Sequence, residues 1–149
     1  MPVPRRPHPL PATPSPDTSA AGRDDAPATL SERLRRGQLF AADCPSRGVL
    51  GHVTSRWGVL ALIALRDGTL RFSELRRRIG GVSEKMLAQT LQALEDDGFV
   101  LRTAHPEVPP RVDYRLTPLG SEVAAHVATL ADWIEANLPR VLRMRQARG

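Results

Sequence analysis

The chain has 149 residues and a formal net charge of +5, with 41% hydrophobic and 4% aromatic residues and a sequence pI near 10.8. That length suits one ordinary domain and not comfortably two, and with so few aromatics the core must be built from Leu, Val, Ile and Ala. The basic balance suits a polyanionic partner, either nucleic acid or an anionic membrane surface, and says nothing about fold. Nearly all the positive charge is Arg, Lys85 being the only lysine. The single cysteine, Cys44, cannot form an internal disulfide, which points to a reducing compartment. The longest apolar stretch, residues 59–65, is too short to span a bilayer, and no apolar segment follows Arg5 and Arg6 as a secretory signal requires. The expected location is the cytoplasm, with no membrane partner.

Residues 1–28 are dominated by Pro, Ala, Ser and Thr. Proline lacks the backbone donor, and a segment with almost no large apolar side chains cannot offset its ordering entropy. A disordered tail is expected. Residues 29–43 carry Leu30, Leu34 and Phe40 around Gly37, a candidate short helix or arm that must dock on something. The globular part is expected to run from 44 to 138, and 139–149 to form a basic C-terminal tail.

Within it, Pro45 opens a helix to about Thr54, and residues 57–65, apolar nearly all round, mark a buried one. Asp67-Gly68 closes that helix, and residues 69–71 are a short strand candidate. Phe72, Leu75 and Ile79 place one apolar face on the next helix, with Arg76, Arg77 and Arg78 largely outside it. After a Gly80-Gly81 turn, Ser83 is an N-cap and Glu84 a first-turn carboxylate favoured by the helix dipole. Leu87, Leu91 and Leu94 then face the core, and Gly98 ends the helix in a left-handed conformation. Two helices joined by a tight glycine turn form the helix-turn-helix pattern.

Residues 100–104 and 111–116 read as strands, the second with Val112, Tyr114 and Leu116 alternating with Arg111, Asp113 and Arg115. Joined by His105-Pro106-Glu107-Val108-Pro109-Pro110, they make a hairpin, or wing, directly after the second helix. Thr117-Pro118 starts a long helix with an apolar stripe, Leu119, Val123, Val127, Leu130, Ile134 and Leu138. Its length makes the stripe a candidate dimer surface, packing within the monomer being the competing reading. Pro139 is expected to end it. The fold class is mainly α (α+β): a winged helix-turn-helix with a β-hairpin wing and a long C-terminal dimerisation helix.

Four stretches together resemble the HxlR family of winged-helix regulators: Arg56-Trp57; Leu70-Arg71-Phe72-Ser73-Glu74-Leu75-Arg76-Arg77; Val82-Ser83-Glu84-Lys85-Met86-Leu87; and Leu94-Glu95-Asp96-Asp97-Gly98-Phe99-Val100. The most specific piece is Pro106-Glu107-Val108-Pro109-Pro110-Arg111-Val112-Asp113-Tyr114-Arg115-Leu116-Thr117-Pro118-Leu119-Gly120. The resemblance covers about residues 44–138. It implies a homodimer that regulates transcription, as repressor or activator, from a near-palindromic double-stranded DNA operator. It also implies, for many members, sensing of oxidants or electrophiles through a cysteine placed like Cys44. One departure matters: Thr90 and Gln92 stand where the family commonly has arginines, so operator specificity is not inherited.

A recognition helix presents its N-terminal residues to base edges in the major groove. The outward candidates are Ser83, Lys85, Met86, Gln89 and Thr90. Gln89 suits adenine, Lys85 guanine or phosphate, and Met86 or Thr90 a thymine methyl. Arg111 on the wing is the leading candidate for a phosphate or minor-groove contact, with Arg71, Arg76 and Arg77 as backbone clamps; a solvated face competes for the arginines. Cys44, just before a helix N-terminus and a turn from Arg47, is the candidate redox sensor, an inert buried thiol being the alternative. His8, His52, His105 and His126 show no metal-ligand spacing and no nucleophile motif accompanies them. No enzyme, cofactor or metal is expected, and His126 is read as structural. Two rival readings are a winged helix that binds only protein and a regulator with a small-molecule effector between the dimer helix and the core, near Trp57 or Trp133.

Overall fold

The computed structural model describes residues 2–4, 28–35 and 44–149. Residues 5–27 of the expected tail and residues 36–43 of the expected arm, including Gly37 and Phe40, lie outside those residues. The elements are α1 (Leu30–Arg35), α2 (Pro45–Thr54), α3 (Arg56–Ala64) with a 3-10 turn (Leu65–Asp67), β1 (Leu70–Arg71), α4 (Phe72–Ile79), α5 (Glu84–Asp96), β2 (Val100–His105), β3 (Arg111–Leu116) and α6 (Pro118–Gln146). In α1 a capping box sets the start: Thr29 N–H donates to Glu32 Oε2 at 2.8 Å and Glu32 N–H to Thr29 Oγ1 at 3.2 Å.

The centre is α3. Its Ala61 and Leu62 are fully enclosed, and Leu75 of α4, Leu87, Leu91 and Leu94 of α5 and Ala124 of α6 close around them. The stripe expected on α5 therefore lies in the core. Each leucine so buried stabilises the fold by about 1.5–3 kcal/mol. Side-chain oxygens cap α3, α5 and α6: Ser55 accepts from Gly58 N, Ser83 from Met86 N and Thr117 from Gly120 N. The turn between α4 and α5 needs φ of +69° at Gly80 and +74° at Gly81, a region that only glycine enters readily.

The sheet is antiparallel in the order β1-β3-β2. Leu70 pairs with Tyr114 and Tyr114 with Arg102, whereas Arg71 pairs with Asp113 and Asp113 with Thr103. Opposite residues share a face, so buried Tyr114 marks the core side and Asp113 the outer side. Phe72 packs against Tyr114 with ring centroids 6.3 Å apart.

The C-terminal helix departs from expectation in several ways. It runs through Pro139 to Gln146. Proline removes one backbone donor, but Leu142, Arg143, Met144, Arg145 and Gln146 are strong helix formers, and Arg140 Nη1 donates to Asn137 Oδ1 at 3.0 Å across the Pro139 position. Residues 139–146 are thus helix and not tail. The apolar stripe also divides. Val127 is buried and Val123 packs against the core, because the N-terminal half of α6 lies on α3. Leu119, Leu130, Ile134 and Leu138 are 52%, 53%, 47% and 38% exposed. Trp133 and Leu142 are exposed beside them. His126, expected to be structural, is exposed as well.

Candidate nucleic-acid interface

The exposed arc of α5 carries Glu84, Lys85, Met86, Ala88, Gln89 and Gln92. It is exposed because the Leu87-Leu91-Leu94 stripe holds the opposite face in the core. Lys85 and Gln89 have no side-chain partner among the described residues, so both can engage a ligand without breaking a contact. The Ser83 hydroxyl instead accepts from Met86 N at 3.1 Å. The Thr90 hydroxyl donates to Met86 O at 2.8 Å, and Gln92 donates to Asp96 Oδ1 at 2.8 Å. Those polar groups are turned to their own helix.

The arginines expected as clamps are largely engaged. Arg76 donates through Nε to Val82 O at 3.1 Å, and its Nη1 lies 3.4 Å from Glu84 Oε1. Arg77 Nε reaches Ser73 O at 3.4 Å, and Arg71 Nε is 3.9 Å from Glu74 Oε1. Arg71, Arg76 and Arg77 all remain exposed. Arg111, the leading wing candidate, is drawn inward to 29% side-chain exposure, with Nη2 3.8 Å from Glu107 and Nε 3.6 Å from Asp113. The same Asp113 carboxylate is 2.9 Å from His105 Nε2. Register explains this: His105 pairs with Arg111 on the outer face, one step diagonally from Asp113. Two acidic groups thus offset Arg111, and the exposed cations on the hairpin are Arg102 and Arg115, with no ion pair among the described residues. The period-two pattern around Arg115 was the available signal for it.

A second contact had no local signal. His52 Nδ1 lies 2.6 Å from Asp97 Oδ2, tying the end of α2 to the C-cap of the recognition helix α5. Cys44 is the N-cap residue of α2 and is buried. Of the two places expected for an effector groove, Trp133 lines a cavity of about 340 Å³ with Asn137, Arg140 and Val141, along α6 alone and not between that helix and the core. Trp57 packs against the core with the Arg56 guanidinium over its ring, while a cavity of about 670 Å³ opens between α4 and α5, lined by Phe72, Arg76, Val82 and Glu84. Among the described residues no single helix is long and apolar enough to cross a membrane.

Helix, glycine turn, exposed recognition helix and hairpin match a known pattern over residues 52–141, that of the HxlR-like helix-turn-helix model. The chain belongs to the HxlR-like family. An uncharacterised HTH-type transcriptional regulator of Escherichia coli strain K12, YtfH, is 68% identical over 121 residues, spanning 81% of this chain and 96% of that protein. The solved structure of the regulator ytfH from Salmonella typhimurium is 70% identical, with a TM-score of 0.70, over 72% of this chain and 96% of that one. The redox regulator HypR in its oxidized form is 34% identical, with a TM-score of 0.57, over 63% of this chain and 97% of that one. This HxlR-like protein is a winged transcriptional regulator of the helix-turn-helix type, and its family's partner is DNA.

Proposed function

We propose that this HxlR-like regulator is a cytoplasmic, sequence-specific repressor that binds a near-palindromic duplex operator as a homodimer. The observation that carries the reading is the outward face of α5, where Lys85, Met86 and Gln89 are exposed with Lys85 and Gln89 uncommitted, beside a hairpin bearing Arg102 and Arg115. In this reading α5 enters the major groove and the hairpin follows the backbone. The second protomer covers Leu130, Trp133, Ile134 and Leu138 of α6, an apolar surface too extended to be accounted for by the monomer core.

Fluorescence anisotropy on DNA from upstream of the protein's own gene, against scrambled duplex, tests this. Gln89→Ala should lower operator affinity by about 1–3 kcal/mol and leave scrambled DNA unaffected. Arg115→Ala should weaken both DNAs alike and reduce the salt slope by about one unit. Equal, weak binding to both duplexes by the wild type would transfer the role of α5 to a protein partner.

A second reading concerns control, favoured by the likeness to HypR, named a redox regulator. In it Cys44 responds to oxidants. A lone thiol cannot bridge within its protomer, so two Cys44 thiols join across the dimer, and their two electrons and two protons pass to the oxidant, diamide in the test. The new bond respaces the two recognition helices. Because Cys44 is buried at the start of α2, the α2 N-terminus must open first and the response should be slow. Diamide should release wild-type protein from the operator and leave Cys44→Ser bound; identical behaviour of the two proteins ends the redox reading.

A further inference from the structure

Glu84 is the first residue of the recognition helix and is exposed, yet its carboxylate does not cap its own helix; the Ser83 hydroxyl does that. Glu84 Oε1 instead lies 3.4 Å from Arg76 Nη1 on α4. The Arg76 guanidinium is itself held by the Nε bond to the Val82 carbonyl. A cation anchored to the α4–α5 turn therefore lies beside an exposed anion at the leading end of α5, on the same outward arc as Lys85, Ala88 and Gln89. A carboxylate beside DNA phosphates is repelled unless it finds a donor. In the major groove the donors are the exocyclic amines, cytosine N4 and adenine N6, whereas guanine O6 and N7 and thymine O4 are acceptors.

We propose that Glu84 is a specificity-determining residue that accepts a hydrogen bond from the exocyclic amine of a base in each half-site, with Arg76 as its positioning residue. The inference rests on the reading of α5 as a DNA recognition helix. It assigns Arg76 to Glu84 and not to a phosphate, and it makes the anion a filter against sites lacking the amine.

In vitro selection from a random duplex library, with wild-type, Glu84→Ala and Arg76→Ala proteins, tests it, with thermal melts to show that the exposed Glu84 substitution leaves folding intact. The wild-type motif should contain one position per half-site restricted to cytosine or to adenine, and the base found there identifies which amine is used. Glu84→Ala should flatten that position alone, erasing a preference of roughly ten- to a hundredfold, and should bind random DNA more tightly. Arg76→Ala should blur the same position without shifting the rest of the motif. If Glu84→Ala selects the wild-type motif unchanged, the proposal is overturned while DNA recognition stands. If the wild type enriches no motif, the DNA reading fails and this inference fails with it.

Discussion

In the homodimer proposed above, joined along α6, Ile134→Glu should separate the protomers and lower affinity for a palindromic operator by about 10²–10⁴-fold, while leaving half-site affinity unchanged. Ile134 is 47% exposed in the protomer, flanked by Leu130 at 53% and Trp133 at 57%. A carboxylate there costs the monomer little, since exposed substitutions usually stay within about 0.5 kcal/mol. In the dimer the same group would be buried between apolar side chains without a partner, a far larger penalty. Two linked recognition helices gain affinity because the second binds as an intramolecular event, and that gain disappears when the protomers separate. Sedimentation velocity reads the mass, and anisotropy on full and half sites reads the two affinities. A dimeric Ile134→Glu protein with wild-type binding would place the protomer contact elsewhere than α6.

Gly120→Ala should be the most damaging small substitution in the core, costing about 3 kcal/mol or more and lowering Tm by roughly 10–20 °C. Gly120 is buried in the first turn of α6, where a Cβ would overlap the Phe99 carbonyl oxygen. That oxygen accepts from Thr117 N at 3.0 Å, and the Thr117 hydroxyl donates to Gly98 O at 2.6 Å while accepting from Gly120 N at 3.0 Å. Making room for a methyl group means moving backbone and loosening this knot. Gly51→Ala is the counterpart: it lies inside α2 with nothing within 4 Å of its Cβ position, so helix propensity should raise stability by about 0.5–1 kcal/mol. Circular dichroism melts of the two variants at one protein concentration should shift in opposite directions. Equal melting of Gly120→Ala and wild type would refute the close approach of α6 to Phe99.

Much of the architecture follows from local rules. The leucine stripe of α5, the caps at Ser83 and Thr117, the glycine turn and the alternation in β3 each depend on residues within a turn or two of one another. Side-chain periodicity and capping are short-range physics, so they are readable along the chain. The outward position of Lys85, Met86 and Gln89 on α5 follows from the same periodicity.

What needed the tertiary structure was how side chains distant in sequence spend their polar groups and apolar surface. Arg111 looked like an exposed wing cation, but hairpin register sets it beside Asp113 and His105, and the nearby Glu107 draws it in further. Arg76 looked like a phosphate clamp, but the α4–α5 turn brings it to the Val82 carbonyl and to Glu84. The stripe of α6 looked continuous, but α3 covers Val123 and Val127 and leaves Ile134 bare. The linear sequence determined the helix-turn-helix, the wing and the outward face of α5, because those rest on contacts between near neighbours. Only the folded chain decided which charges are free and which apolar surface still lacks a partner, because ion pairing and burial depend on groups that chain distance keeps apart and packing brings together.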